Sequence, residues 1–304
     1  MCPPGVDQTM RSPQQWLFEG DKLFDTWAML ARPAHSRLKR TPLKSDGRRG
    51  LFDLLSNELI DMILEHVVED PVDTMALGLT CEGFWYPVSQ YIHTSYIKSA
   101  APWANTKIIL QGSYSTTLPL SLVESPAVSK ATRYNGSRMP SSRKLFWAGW
   151  DFEQPKTLKQ VEREWRTAAV MHKESSHIPD SRWDELQEQL TTSYLFPCDQ
   201  NWLLRNFTNK EFVSSGHSTQ RNIGRSEKSV EGLRFEDVLL MKIFWASHSH
   251  HERSDKECHR SVWAGHCFDV VTEAFHKAEG GDGWRDVTAE TERDVVAWKL
   301  AQGC

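Results

Sequence analysis

Apolar residues recur at helical spacing within the first hundred residues of the chain, and the pattern turns toward strands beyond them. Three apolar residues spaced four apart mark one face of an amphipathic helix predicted within residues 51–67: Leu55, Leu59 and Ile63. Ser56 stands at the start of this helix, where its hydroxyl can accept a hydrogen bond from an amide of the first turn. Two more short helices are predicted over residues 74–81 and 82–96. Three short helices bury little apolar surface alone, so we expect them to pack against a partner or the rest of the chain.

The remainder of the chain mixes helical and strand periodicity. Helices are predicted over residues 16–31, 156–172, 180–193 and 288–300. Strands, one of them continuing into a turn, are predicted over residues 106–111, 201–213, 235–247 and 261–271. These elements indicate an α+β fold, in which a three-helix module precedes a mixed domain of helices and strands. The order of the strands in the sheet is left open.

Composition divides the chain into three parts. Residues 1–50 hold a first helix and then a basic linker with prolines over residues 32–50. Residues 51–97 form the three-helix module, and residues 101–300 form the larger α+β domain. A basic run of this kind is typical of a solvated linker, and a nuclear import signal is the alternative interpretation.

Charge and hydropathy narrow the class of protein. The chain has 304 residues, a formal net charge of −4 and a mean hydropathy of −0.53. A weakly acidic balance argues against nucleic acid or an anionic membrane as the main partner, because both attract a basic surface. No apolar run approaches the roughly 20 residues of a membrane span, and the N-terminus does not resemble a signal peptide. The six cysteines form no CxxC pair, so we expect reduced thiols and a cytoplasmic or nuclear protein.

Tryptophan is unusually frequent, with 13 residues in the chain. A core rich in tryptophan is the favoured interpretation, and a recognition surface is the alternative. Residues 147–152 and 263–268 share the pattern W-A-G-x-x-F, and residues 245–248 repeat its beginning. We expect these segments to be strands of one sheet, with glycine marking a bulge or a close approach of another backbone.

Histidine and cysteine cluster near the end of the chain, where four histidines are candidate zinc ligands: His248, His250, His259 and His266. A structural zinc site needs four converging ligands, and their spacing matches no known finger. Ordinary loop and strand histidines are therefore the favoured interpretation, and no metal or other cofactor is expected. The chain has no nucleophile elbow, no dinucleotide-binding glycine pattern and no P-loop lysine, so we expect no catalytic residues.

Residues 55–85 carry a family resemblance. Residues 55–64 read LSNELIDMIL, Asp73 follows, and residues 77–85 read LGLTCEGFW. This order and spacing resemble the F-box, whose pattern is roughly L-P-x-E-[LIV]-x-x-x-I-[LF], an acidic residue and then L-x-L-[TV]-C-[KR]-x-[FW]. Two positions depart from the pattern: Ser56 replaces the usual proline, and Glu82 stands where a basic residue is common. The departure at Ser56 bears on the strength of adaptor binding.

The rest of the chain is similar to fungal F-box proteins whose C-terminal region has no established activity. The similar pieces read APWANTKII at 101–109, LRNFTNKEFV at 204–213, DVLLMKIFWAS at 237–247 and HRSVWAGHCFD at 259–269. This similarity covers most of residues 51–300 and implies no chemistry of its own.

The F-box resemblance implies a non-catalytic substrate receptor of an SCF-type, cullin-based ubiquitin ligase. Its partners would be the adaptor subunit, through it a cullin, and an unknown protein substrate held by residues 101–300. The residues expected to bind the adaptor are Leu55, Ser56, Glu58, Leu59, Ile63, Cys81 and Trp85. For the apolar members of this set, the core of the module is the alternative location.

Two other functions stay open from the sequence. The chain can be an adaptor-binding scaffold with no role in degradation. It can also be a metal- or ligand-binding domain with a vestigial F-box, in which case the histidine and cysteine cluster would be the site.

Overall fold

The computed structural model describes residues 29–34, 55–67, 70–80, 82–111, 119, 122, 156–173, 179–215, 233–245 and 261–301. The described helices are α1 (Asn57–Val67), α2 (Pro71–Thr80), α3 (Glu82–Ser99), α4 (Leu158–Lys173), α5 (Asp180–Gln189), α6 (Phe235–Ile243), α7 (Glu273–Ala278) and α8 (Thr288–Ala301). The described strands are β1 (Lys107–Ile108), β2 (Leu110–Gln111), β3 (Trp202–Asn206), β4 (Glu211–Ser214), β5 (Phe244–Trp245), β6 (His266–Thr272) and β7 (Arg285–Asp286). The predicted α+β class is confirmed.

Local capping explains where the early helices begin. The α2 helix starts three residues before its predicted start, because the Asp70 carboxylate accepts a hydrogen bond from the amide of Val72 at 2.7 Å. Pro71 takes the first helical position, where its missing N–H costs nothing and its fixed φ suits the helix. The predicted helices over residues 156–172, 180–193 and 288–300 correspond to α4, α5 and α8. Only the end of the helix predicted over residues 16–31 falls within the described residues.

The first five helices share one apolar core, which we call the helical core. Its buried members in α1, α2 and α3 are Leu64, Met75, Trp85, Val88, Ile92 and Tyr96. Its buried members in α4, α5 and the turn after them are Leu158, Val161, Trp165, Ala168, Ala169, Trp183, Leu186, Leu190 and Leu195. The three-helix module therefore packs against the rest of the chain, as its small size predicts. This core takes residues from both sides of the predicted boundary between 97 and 101.

The larger sheet has five strands in the order β1-β6-β3-β4-β7. All neighbouring strands in it are antiparallel except β4 and β7, which are parallel. The strand and turn predicted over residues 201–213 form the hairpin of β3 and β4. A separate two-stranded parallel sheet joins β2 to β5. Residues 29–34 add to β6 on the same side as β1, since the amide of Arg32 donates to the carbonyl of Val270 at 2.8 Å.

The strand predicted over residues 235–247 is wrong, because most of this segment is the helix α6. Glu236 and Asp237 lie in its first turn, where carboxylates favour a helix N-terminus. The helix is buried over most of its surface, including Phe235, Val238 and Ile243. A helix buried on several sides shows a continuous apolar run, which periodicity alone does not distinguish from a buried strand.

The described parts of these repeated tryptophan segments do not lie as strands in one sheet. Trp245 belongs to β5 in the two-stranded sheet, whereas Trp263 lies in the turn that precedes β6 of the larger sheet. Gly265 has a φ of 79°, which explains the glycine of the pattern as a turn residue. Residues 147–152 lie outside the described part of the chain. Three buried tryptophans belong to the helical core: Trp85, Trp165 and Trp183. Two more, Trp202 and Trp263, are buried against the larger sheet.

Helices α6 and α8 and residues 29–34 cover the larger sheet and bury a second core with it. Phe196 packs against this second core and also against the helical core. Within the described ranges, no helix has the length and apolarity needed to cross a lipid bilayer.

Candidate partner-binding site on the first helix

Ser56 sets the start of α1. Its carbonyl accepts hydrogen bonds from the amides of Leu59 and Ile60, both at 3.1 Å, so it occupies the N-cap position. The Ser56 side chain also bonds the carboxyl group of Glu58, and this contact, together with a backbone hydrogen bond, lowers the pKa of Glu58. A charged Glu58 in the first turn further favours the helix through the helix dipole. Serine thus forms a sound helix start at the position where the F-box pattern has proline.

Part of the apolar surface of α1 faces solvent. Leu59 is 47% exposed and Met62 is 58% exposed, whereas Leu55 and Ile63 are half-buried. Leu64 is buried and belongs to the helical core. The spacing of Leu59, Met62 and Ile63 places them on one face of the helix, and Leu55 lies two residues before the first helical residue. We call Leu55, Leu59, Met62 and Ile63 together the α1 face.

The α1 face is what the structure offers to a partner. Charged residues flank it, since Glu58, Asp61 and Glu65 are all exposed. An apolar stripe with a polar rim is the arrangement by which one helix docks into a partner's groove. Met62 was not among the sequence candidates, although its position three residues after Leu59 places it in the same stripe. The flexible thioether of methionine adapts well to a binding surface.

Trp85 lies apart from the α1 face. Its side chain is 5% exposed and belongs to the helical core, and its indole N–H donates to the Gln189 side chain at 2.8 Å. It therefore joins α3 to α5 and offers little surface to a partner. Leu55 and Ser56 directly precede α1, Glu58, Leu59 and Ile63 lie on it, and Cys81 lies outside the described residues.

The histidine cluster is described only in part. The Nδ1 atom of His266 lies 3.0 Å from the side-chain nitrogen of Asn206, and burial lowers the pKa of its imidazole. Among the described residues, no group of three or more potential ligands is arranged to hold a metal ion. His248, His250 and His259 lie outside those residues.

A cluster of charged side chains lies on the larger sheet, around Arg205. Asp269, Glu279 and Arg32 complete this cluster, in which Asp269 is fully buried and accepts from both arginines. Burial opposes the charge of Arg205, but its hydrogen bonds to the two carboxylates outweigh this effect and raise its pKa. This pairing joins β3 to β6 and to the segment at residues 29–34. No family model, curated protein or solved structure matches this chain.

Proposed function

We propose that this protein is a substrate receptor of a cullin-based ubiquitin ligase and that its α1 face binds the adaptor subunit. The observation that carries the proposal is the exposure of Leu59 and Met62 within the very segment that resembles an F-box. Exposed apolar side chains on one helix face gain free energy when a second protein removes them from water. Their exposure is accounted for if a second protein covers them.

The remaining helices of the module have a supporting role in this proposal. Helix α1 packs against α2 and α3, and these helices pack against α4 and α5 in the helical core. Two tryptophan side chains reinforce this connection, since Trp85 bonds Gln189 and Trp165 donates to the Ser95 hydroxyl at 3.0 Å. A firmly connected module would hold a bound substrate at a fixed position relative to the ligase. The protein then contributes proximity and orientation and performs no bond chemistry itself.

The proposal also places the protein where such ligases act, in the cytoplasm or nucleus. Residues 101–300 would hold the substrate, and cullin would be reached only through the adaptor. Ser56 gives the helix its N-cap without the usual proline.

Isothermal titration of the full-length protein with a purified SCF adaptor tests the proposal. We expect binding by the natural chain and a loss of at least about a hundredfold in the Leu55→Asp/Leu59→Asp double variant, because buried anchor residues dominate such interfaces. Met171→Asp is the matched control, since Met171 is 64% exposed on α4, away from the α1 face. It should bind like the natural chain.

Two results would contradict the proposal. One is the absence of binding at micromolar adaptor, and the other is an equal loss in the Met171 control and the α1 variant. A complex that binds the adaptor but supports no ubiquitin transfer to any captured protein would instead favour the scaffold function.

A further inference from the structure

An open groove of about 610 Å³ runs along the solvent side of α4, with one lining residue from α5. Its described lining residues include Lys159, Glu162, Arg163, Arg166, Val170 and Gln187. The α4 positions 159, 163, 166 and 170 fall on one helix face, so they form a continuous floor. The groove uses residues of neither the α1 face nor the cluster around Arg205.

Positive charge predominates in the groove. Three cationic side chains line it against one carboxylate, that of Glu162. This carboxylate is already engaged, because it accepts a hydrogen bond from the Thr192 hydroxyl at 2.5 Å and lies 3.7 Å from the Arg166 guanidinium. Arg163 is exposed and has no hydrogen bond or ion pair among the described residues. Its charge is therefore available to an anionic ligand.

A polar atom of Gln187 at the groove also lacks a partner. Its side-chain oxygen accepts from Nε of Arg166 at 3.3 Å, which fixes the orientation of the amide. The amide nitrogen is then buried, and among the described residues it finds no hydrogen-bond partner. A buried donor left unpaired is unfavourable, and an acceptor oxygen from a ligand would satisfy it.

We infer that this groove binds a short extended segment of a partner protein that carries neighbouring carboxylates and one apolar side chain. Carboxylate oxygens pair with Arg163 and Arg166, and a backbone carbonyl accepts from Gln187. The apolar side chain packs on Val170, which is 57% exposed. From Lys159 to Val170 the helix rises about 16 Å, which an extended peptide spans with about five residues.

Carboxylates fit this groove better than phosphates or nucleic acid. Glu162 immediately precedes Arg163 and lines the groove with Arg163 and Arg166, so a doubly charged phosphate would meet stronger repulsion from this carboxylate than a singly charged carboxylate would. The described lining contains no aromatic ring on which a base could stack.

Fluorescence anisotropy of the full-length protein tests the inference without any adaptor. The probes are two labelled pentapeptides, Asp-Glu-Asp-Glu-Leu and the same sequence reversed, because the chain direction in the groove is open. The competitors are the isosteric Asn-Gln-Asn-Gln-Leu, a phosphoserine peptide of equal length and a short single-stranded DNA. We expect at least one acidic probe to bind at low salt, to weaken as salt screens the charges, and to exceed every competitor in affinity.

Three substitutions locate the binding. Arg163→Glu should weaken the acidic probe at least about tenfold, since it turns an attraction into a repulsion. Gln187→Glu keeps the acceptor for Arg166 but replaces the unpaired donor with a negative charge, and it should weaken binding in the same direction. Arg293→Glu makes the same change at an exposed position on α8 and should leave binding unchanged.

The inference is overturned if the neutral peptide binds as tightly as the acidic ones, if the phosphopeptide or DNA binds more tightly, or if Arg163→Glu binds like the natural chain. Circular dichroism establishes that each variant is folded, and Arg163→Gln replaces Arg163→Glu if the charge reversal disturbs the helix. The Leu55→Asp/Leu59→Asp variant should retain peptide binding. Failure of the groove and failure of the adaptor site are therefore distinguishable.

Discussion

Arg205 and Asp269 lie directly opposite each other on the neighbouring strands β3 and β6, and their side chains form a bidentate pair. The Nε–Oδ1 distance is 2.8 Å and the Nη2–Oδ2 distance is 2.7 Å. The Arg205 side chain is 2% exposed, and its guanidinium also lies over the rings of Phe207 and Trp284 at 5.0 and 5.5 Å. A shift of one residue in the strand register would break this bidentate pair, so the pair favours the observed register.

Replacing Arg205 with methionine should destabilise the protein strongly. Arg205→Met keeps an apolar side chain among the aromatic rings but leaves Asp269 buried with only the partly exposed Arg32 as a cationic partner. We expect the free energy of unfolding in urea to fall by about 3–5 kcal/mol, the usual cost of breaking a buried pair.

Lys277→Met is the matched control for this change. Lys277 is largely exposed and pairs with Glu273 one helical turn away. Its removal should cost less than about 1 kcal/mol. Equal losses in the two variants would show that the buried pair does not hold the strands together as described.

A glycine allows α2 and α3 to pack closely. A Cβ atom built on Gly78 would lie 2.9 Å from Cγ1 of Val88 and 3.3 Å from the ring of Trp85. Gly78→Ala should therefore lower the free energy of unfolding by about 1–3 kcal/mol through overpacking, although alanine favours the helix itself by about 1 kcal/mol.

A double-mutant cycle separates these two effects. The Gly78→Ala/Val88→Ala variant removes the Val88 methyl groups that the new side chain would meet. It should be more stable than the sum of the two single changes predicts, because the two residues are in contact. If the losses in the free energy of unfolding were additive, α2 and α3 would accommodate the new methyl group by moving apart without strain.

The sequence predicted the helices better than the sheet. Helix signals act between residues close in sequence, whereas strand pairing joins residues that are far apart in sequence. Ser56 acts within one turn of its own helix, and the sequence predicted its capping role. Asp70 and Pro71 act equally locally, but the sequence prediction used them to end the preceding helix and began α2 three residues too late. The pairing of Arg205 with Asp269 joins residues 64 positions apart, and no local pattern contains it. The sequence likewise could not order strands as short as β1 and β7, which are two residues long.

The candidate site shows the same division. The stripe of Leu55, Leu59 and Ile63 follows from helical spacing, and Met62 was missed only because the family pattern leaves its position free. Trp85 carries the same apolar signal as Leu59, but the helix that covers it begins almost a hundred residues later. Exposure on α1 and burial on α3 are therefore properties of the tertiary fold.

Buried histidine should make the stability depend on pH. His276 is buried between Phe212 and Trp284, and burial, reinforced by the nearby Arg205, lowers its pKa from the ordinary 6.5. The unfolded chain then takes up the proton at a higher pH than the folded protein does. The free energy of unfolding should fall as the pH drops below about 6.5, and the loss should continue down to the lowered pKa of the folded state.

Urea titrations at several pH values between about 7.5 and 5.5 measure this slope. Burial also lowers the pKa of His266, so the two histidines contribute in the same direction. His276→Gln should reduce the slope, and His66→Gln, at an exposed position on α1, controls for the change of residue type. A slope unchanged by His276→Gln would exclude this histidine as a source of the pH dependence.

Removing residues 1–100 should unfold α4 and α5, and it also removes residues 29–34 from the core of the larger sheet. The hydroxyl of Tyr96 donates to the carbonyl of Leu190 at 2.9 Å, and burial raises the pKa of Tyr96 far above its ordinary range. Without α1 to α3, the buried faces of α4 and α5 would meet water, and short isolated helices are only marginally stable. Hydrogen exchange of residues 101–304, compared with the full chain, should show lost protection over residues 158–189. Retained protection there would mean that α4 and α5 fold without α1 to α3.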